Sequence, residues 1–213
     1  MSGPGLTGVR VRPAAPHEFG RVADLVELGF RNGPYGHLPV SAARTALVRD
    51  SAGRAAAGAL LVAVDGHSAV DGHSAVDGHS AVDGHSAVDA ADETAVVPLL
   101  GTASLLRAGA SGTRLARQGE AELRLIAVDP DARGRGIGEA LVLHALAVAA
   151  QWGVDAVVLD TGSLNLPAQR LYDRVGFTLV HDRVPGGLGG PGSPDAIPPV
   201  VYRFALSTRR ACR

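Results

Sequence analysis

The sequence predicts a mixed α/β domain, and three observations carry that prediction. Apolar runs of strand length alternate with segments of helical periodicity in the order β-α-α-β and then, after an interruption, β-β-α-β-α-β-β. A glycine-rich loop, Arg133-Gly134-Arg135-Gly136-Ile137-Gly138, joins the end of one strand to an apolar helix. The interruption is a perfect tandem hexapeptide, Ala-Val-Asp-Gly-His-Ser, with four copies from Ala63 to Ser86 and Ala87-Val88-Asp89 opening a fifth.

Val9 to Arg12 alternates as a strand does. Pro16 opens a helix carrying Val22, Leu25, Val26 and Phe30 at helical spacing, with Gly29 near its stop. Arg31 to Pro39 has loop chemistry, and Ser41 can cap a second helix through Val48. Ala59 to Val64 is a strand. The repeat follows, with an Asp-Gly turn signal in each copy, and reads as an exposed low-complexity insertion over residues 65–92. Val96 to Leu106 is a strand, and Pro98 in it implies an edge or a bulge. Glu120 to Val128 is the next strand. Plain alternation puts Leu123, Leu125 and Ala127 on one face and Glu122, Arg124, Ile126 and Val128 on the other. A helix from about Glu139 to Gln151, a strand from Val154 to Asp160 and a helix from Asn165 to Arg174 come next, the last stopped by Gly176. Phe177 to Val180 and Val200 to Leu206 are the last strands, and a Gly/Pro-rich loop over 185–199 separates them. The organisation expected is a flexible N-terminus over 1–7, one domain over 8–207 and a tail over 208–213.

Composition narrows the function classes. Of 213 residues, 46% are hydrophobic but only 4% aromatic, so the core is expected from Val, Leu and Ala. The net charge of −1 argues against a dedicated nucleic-acid binder. The single cysteine, Cys212, excludes an internal disulfide and fits a reducing compartment. No apolar run approaches the roughly 20 residues of a membrane span, and the first residues lack a signal-peptide core. The expectation is a cytoplasmic protein without membrane or nucleic-acid partners. His67, His73, His79 and His85 recur every six residues, but with no fixed geometry implied they read as part of an expanded linker, and no metal is expected.

The glycine loop carries the chemistry. Glycines admit positive φ and close backbone approach, and free N–H groups at a helix start face an anion. Arg133 and Arg135 add charge that can pair with phosphate. A phosphate-bearing ligand is therefore expected; a glycine-rich turn without a ligand is the alternative. A Walker loop would need Gly-Lys-Ser/Thr, which is absent. A dinucleotide loop would need glycine where Glu139 stands, although Asp160 sits about where a ribose-binding acid would. The polar residues of the preceding strand also differ from a strand covered on both faces.

Arg133-x-x-Gly136-x-Gly138 resembles the acetyl-CoA loop of the GNAT superfamily of N-acetyltransferases, and the approach Leu125-Ile126-Ala127-Val128-Asp129-Pro130 is similar too. Asn165-x-x-Ala168-x-x-Leu171-Tyr172-x-x-x-Gly176-Phe177 resembles that family's second CoA-side motif. The resemblance covers roughly Val9 to Leu206, leaving out Ser68 to about Asp92. It implies a mixed, mostly antiparallel sheet flanked by helices, and transfer of an acetyl group from acetyl-CoA to an amine of a small molecule or peptide. Backbone groups of Ile126, Ala127 and Val128 would pair with the pantetheine arm, and the N–H near Ile126 would polarise the thioester, a role worth about 3 kcal/mol where such donors are removed. The N–H groups of Arg133, Gly134, Arg135, Gly136, Ile137 and Gly138 would hold the pyrophosphate. Asn165 would bond the pantetheine arm, and Tyr172 would protonate the leaving thiolate.

Glu122 matches the position of the family's amine-deprotonating carboxylate, with Glu120 the runner-up. Each role has a plain alternative: a solvated strand charge for the glutamates, a core aromatic for Tyr172, a helix N-cap for Asn165. Tyr35 and His37 lie in the loop that in the family borders the acceptor, where an ordinary loop is the simpler reading. A homodimer is left open. Two other functions compete: a non-catalytic acyl-CoA-binding module of the same fold, and a Rossmann-type dinucleotide enzyme.

Overall fold

The computed structural model of the protein describes residues 8–66, 97–183 and 198–206. The repeat beyond Gly66, both termini and most of the Gly/Pro-rich loop lie outside the described residues, and with them the expectations placed there. The elements are β1 (Val9–Pro13), α1 (Phe19–Arg31), α2 (Ala42–Arg49), α3 (Ser51–Ala56), β2 (Gly58–Asp65), β3 (Leu99–Arg107), β4 (Glu120–Val128), α4 (Ile137–Gln151), β5 (Ala156–Gly162), α5 (Leu166–Val175), β6 (Thr178–Val180) and β7 (Pro199–Ala205). The strands form one sheet in the order β1-β2-β3-β4-β5-β7-β6. Only β4 and β5 pair in parallel; the other neighbours are antiparallel. This mixed sheet replaces the parallel, doubly wound sheet that the dinucleotide reading required.

Alternation along the strands feeds two cores. Leu61, Ala63, Ala103, Leu105, Ala121 and Leu123 face α4, where Ile137, Leu141, Ala145 and Ala149 are buried. Leu60, Val62 and Val64 face α1, against Val22 and Leu25. Glycine lets the layers approach closely at two points. A Cβ on Gly101 of β3 would lie 2.9 Å from Ile137 Cγ2 of α4, and one on Gly29 of α1 would lie 2.9 Å from Ala127 Cβ of β4. Gly29 is therefore a packing residue rather than a stop, and α1 continues past it to Arg31.

Three further expectations are corrected. Pro98 lies just outside β3, which is central in the sheet; the irregularity it signalled is a register shift opposite Ala63/Val64. The face assignment in β4 holds only up to Arg124. Thr102 pairs with Ala127 but Ser104 with Arg124, so β4 carries an extra residue, and Leu125 takes φ 49°. The bulge puts Leu123 with α4 but Ala127 with α1. The short helix α3 was not foreseen; Asp50 caps it, accepting a hydrogen bond from the Gly53 N–H at 2.8 Å. It carries Arg54, whose buried guanidinium donates to Ser104 Oγ, Ser51 Oγ and the Val48 carbonyl.

Where β4 begins, Glu120 binds β7 and the segment after β6. Its carboxylate accepts from Arg183 Nη2 at 2.8 Å, Arg203 Nε at 3.2 Å and the Arg117 N–H at 3.0 Å. Burial pushes this carboxyl up, but the hydrogen bonds from Arg183, Arg117 and Arg203 outweigh it and lower it to about 2. A carboxyl lowered on folding contributes its stability fully above the ordinary value of 4.5, and loses it as pH falls toward 2. Replacing Glu120 by Gln is therefore expected to cost roughly 3 kcal/mol at pH 7, a deficit that shrinks between pH 4.5 and 2. Urea unfolding of both proteins across that range measures it; a deficit independent of pH would refute the ion-pair assignment.

Candidate active site

The β4–β5 pairing is short. Glu120 pairs with Ala156, Ala121 with Val157 and Glu122 with Val158. Beyond that register β4 continues to Val128 and β5 to Gly162 without pairing to each other. A cleft opens between them, with strand backbone on both walls. The bulge at Leu125 lies on the β4 wall, so Ile126, Ala127 and Val128 follow a backbone already turned out of regular register.

The glycine loop caps the mouth of this cleft. Asp129-Pro130 ends β4 and a short 3-10 turn, Pro130–Ala132, leads into the loop. Gly134 has φ 78°, and Gly136, at φ 77° and ψ 5°, is the N-cap of α4. Both lie in the left-handed region that favours glycine. Residues 133–136 are exposed, Ile137 is anchored in the core, and α4 starts two residues earlier than its apolar pattern implied. The first turn of a helix leaves N–H groups without intrahelical acceptors, so this fifteen-residue helix directs donors and its positive end at the mouth. A Cβ on Gly138 would lie 3.3 Å from Leu171 of α5 and 3.8 Å from Val128 of β4, so this glycine is where loop, strand and second motif converge.

The two loop arginines differ from the phosphate-pairing role expected of them. Arg133 donates to the carbonyls of Asn32 at 3.0 Å and Gly29 at 3.2 Å, tying the loop to the end of α1. Arg135 forms a half-exposed ion pair with Asp65 at 3.6 Å. With both guanidinium groups engaged within the protein, what the loop leaves for a ligand is its backbone.

On the β5 side, Asn165 holds the N-cap position of α5, its carbonyl accepting the Gln169 N–H at 3.1 Å, but its side chain makes no cap hydrogen bond and its Nδ2 donates to Thr161 Oγ1 at 3.1 Å. Tyr172 is buried on α5, with Phe177 and Tyr202 rings at centroid distances of 5.8 and 5.5 Å. Burial, and after it the charge of Asp160, push the phenol up, so it remains neutral at ordinary pH.

Glu122 is completely buried at the last paired position. Its Oε2 accepts the backbone N–H groups of Arg114 and Leu115 at 2.7 Å and of Ala116 at 3.1 Å. Its Oε1 accepts no hydrogen bond among the described residues and lies 3.4 Å from Arg124 Nε. Glu120, the runner-up, has both oxygens engaged by arginines, Arg183 on both and Arg203 on Oε1.

Two further residues stand here: Tyr35, which the sequence placed in the loop bordering the acceptor with an ordinary loop as the simpler reading, and Arg114, which sequence reasoning missed. Tyr35, from the α1–α2 loop, lies against Gly162, where a Cβ would come within 2.2 Å of its hydroxyl; that oxygen accepts the Leu164 N–H at 2.7 Å. Arg114 bridges the cleft, donating to both oxygens of Asp160 at 2.8 and 3.0 Å. Nothing in the sequence signalled Arg114.

Comparisons with known proteins agree with this geometry. The family model described as Acetyltransferase (GNAT) family matches residues 56–177. The mycothiol acetyltransferase of Thermobispora bispora is 44% identical over 57 residues, which are 27% of this chain and 19% of that protein. The chain thus spans about a fifth of the length of that curated relative. Solved structures match over nearly the whole chain. A GNAT-family acetyltransferase from Staphylococcus aureus superposes with TM-score 0.60 at 14% identity, covering 93% of this chain and 99% of that one. A candidate acetyltransferase of Salmonella typhimurium, solved with its cofactor acetyl-CoA, gives TM-score 0.59 at 16% identity, covering 96% and 98%. At these identities the structures show the fold.

The positive φ at Gly136 makes a prediction. Alanine there costs about 1–2 kcal/mol in that conformation, or roughly tenfold in an equilibrium that requires it. Gly136→Ala is expected to weaken acetyl-CoA binding about tenfold in calorimetry. Gly153→Ala, at φ 72° past the far end of α4, is expected to lower stability and leave affinity unchanged. Equal affinities in all three proteins would remove the loop from the binding site.

Proposed function

Because this chain belongs to the acetyltransferase (GNAT) family, whose co-substrate is acetyl-CoA, we propose that it moves the acetyl group directly to an amine within a ternary complex. One observation supports this best: the parting of β4 from β5 opens strand backbone beneath a helix N-terminus and beside a buried neutral tyrosine. These features fit an extended, phosphate-bearing thioester. The donor supplies an activated acyl carbon and a thiolate leaving group. The chain's own groups do the rest. The loop N–H groups of 133–138 hold the pyrophosphate, and the backbone of Ile126 to Val128 lines up the pantetheine arm with Asn165 opposite. The N–H near Ile126 takes up charge developing on the carbonyl oxygen.

The amine nitrogen attacks the carbonyl carbon, the C–N bond forms and the C–S bond breaks. Glu122 receives the amine proton through a water at Oε1, the oxygen not occupied by loop N–H groups. Tyr172 hydrogen-bonds and protonates the departing sulfur, and the proton held by Glu122 returns through solvent. The products are an amide and free CoA. Glu120 fits the base role less well, because arginines hold both its oxygens. In the competing reading, a non-catalytic acyl-CoA module, neither Tyr172 nor Glu122 has chemical work.

Tyr172→Phe is expected to lower kcat by about 100-fold, at the low end of the range for a general acid, with acetyl-CoA affinity within about twofold. Glu122→Gln keeps an oxygen for the three loop N–H groups and is expected to lower kcat/KM by about 100-fold, with acetyl-CoA affinity within about twofold. Release of free CoA is followed across aminoglycosides, polyamines, amino acids and peptides. Tight acetyl-CoA binding with no release by any of them would favour the non-catalytic module.

A further inference from the structure

On the α2 side of the cleft, three guanidinium groups from different elements converge. Arg124 lies on β4 one residue before the bulge and donates to the Gly112 carbonyl; its Nε faces Glu122 at 3.4 Å. Arg114 comes from the β3–β4 loop and crosses to Asp160 on β5. Arg44 comes from α2, where its guanidinium lies 4.0 Å over the Phe30 ring. Leu47, one turn along α2, reaches the same loop; a Cβ on Gly112 would lie 2.9 Å from its Cδ1. Arg44 also feels the charges of Arg114 and Asp160, and Arg124 feels those of Arg114, Glu122, Asp160 and Arg44, so the five groups form one electrostatic unit.

Its charge does not balance. Three guanidinium groups stand against two carboxylates, Glu122 and Asp160. Asp160 is engaged by Arg114, and Glu122 has one oxygen committed to loop N–H groups. Arg44 donates a hydrogen bond to no carboxylate among the described residues; its recorded contact is the ring face of Phe30. Burial is the leading influence on both Arg44 and Arg124 and acts against their charged forms. A half-buried cation on an aromatic face, beside a second cation and with no hydrogen-bonded anion, is costly unless a ligand supplies the anion. The location matters as much. Asp160 follows Leu159 on β5, Leu159 pairs with Tyr202 of β7, and the Tyr202 ring lies 5.5 Å from that of Tyr172, so the unit stands on the strand that backs the proposed proton donor.

We propose that this cluster is the specificity site for the acceptor, and that the acceptor is a small amine bearing a carboxylate, held by Arg44 and Arg124. One surplus positive charge matches one monoanionic group. A guanidinium on a carboxylate is already used within the cluster, where Arg114 Nη2 donates to both oxygens of Asp160. The Phe30 ring and Leu47 supply an apolar flank for the acceptor's side chain. The proposal rests on the acetyltransferase reading and deepens it: the carboxylate anchors on the α2 side, leaving the amine to face the β4 wall where the acetyl group is presented.

The test compares amino acids with their own carboxamides on the full-length chain. Turnover with acetyl-CoA is measured for each pair, and the shift in Tm that each compound produces is measured in the presence of CoA. At least one acid is expected to exceed its amide about tenfold in kcat/KM, through KM, as for loss of one charge-assisted contact. The same acid, and not its amide, is expected to raise Tm. Arg44→Gln should bring acid and amide within about twofold of each other, with acetyl-CoA affinity unchanged, and Arg44→Lys should retain part of the preference. Acids no better than amides in both measurements would overturn the proposal, as would a preference that survives in Arg44→Gln. If Arg44→Gln fails to fold, the comparison of pairs on the unaltered chain still decides. Failure of the underlying acetyltransferase reading looks different: the unaltered chain would release no CoA with any amine, acid or amide, whether or not it binds acetyl-CoA.

Discussion

The short register between β4 and β5 is the constraint on which the rest of this structure depends. Three residue pairs join the strands in parallel, and then they separate. Were the pairing to continue to Val128, the backbone of both strands would be consumed in the sheet and no cleft would exist. Two features oppose its continuation. The extra residue at Leu125 twists β4 out of phase with any straight neighbour. Arg114 fills the gap from above by binding Asp160, the β5 residue that would have paired next but one. Two buried glutamates hold the closed end together. Glu120 gathers Arg183 and Arg203 from the far side of the sheet, and Glu122 gathers the N–H groups of the β3–β4 loop. The cleft is a split sheet with charged rivets at the base of the split.

Those rivets explain why the two carboxylates, two residues apart on one strand, have different prospects. Glu120 has arginine on both oxygens and is held at about 2. Glu122 uses one oxygen for structure and turns the other toward Arg124, where it accepts no hydrogen bond among the described residues. The same split assigns the arginines. Arg133 looked like a phosphate ligand in the sequence, yet its guanidinium closes the end of α1. Cations near a helix C-terminus satisfy its last carbonyls, and the Arg133 side chain does this for a helix a hundred residues away in sequence. The loop keeps its own N–H groups for the anion.

What could be read from the sequence follows the range of the interactions. Strand and helix order was legible because period and turn chemistry are local, and the boundaries differ by at most three residues. The glycine loop was legible for the same reason: positive φ at Gly134 and Gly136 is a demand of adjacent residues. The bulge was not, because Leu125 carries no mark of its conformation; a β-branched or aromatic residue would have looked as strand-like. Nor was the role of Gly29, which depends on Ala127 coming within contact distance from another layer. The arginine cluster was the least legible feature. Arg44, Arg114 and Arg124 have ordinary surroundings in sequence, and only the packing of α2 over the β3–β4 loop makes them neighbours.

This difference in range has a consequence for how such a protein can change. The donor side is one continuous stretch from the end of β4 to the start of α4, with α5 close behind, and most of its contacts are backbone. Side chains there can vary as long as the glycines and the strand separation persist. The acceptor side is assembled from α2, the β3–β4 loop and single positions on β4 and β5, and its character is entirely side chain. Exchanging Arg44 alters the charge of that side without touching the backbone donors of the other. On the proposed reading, the fold lets amine preference be altered one residue at a time while the chemistry of the thioester stays fixed, with the surplus cation at Arg44 as the proposed determinant.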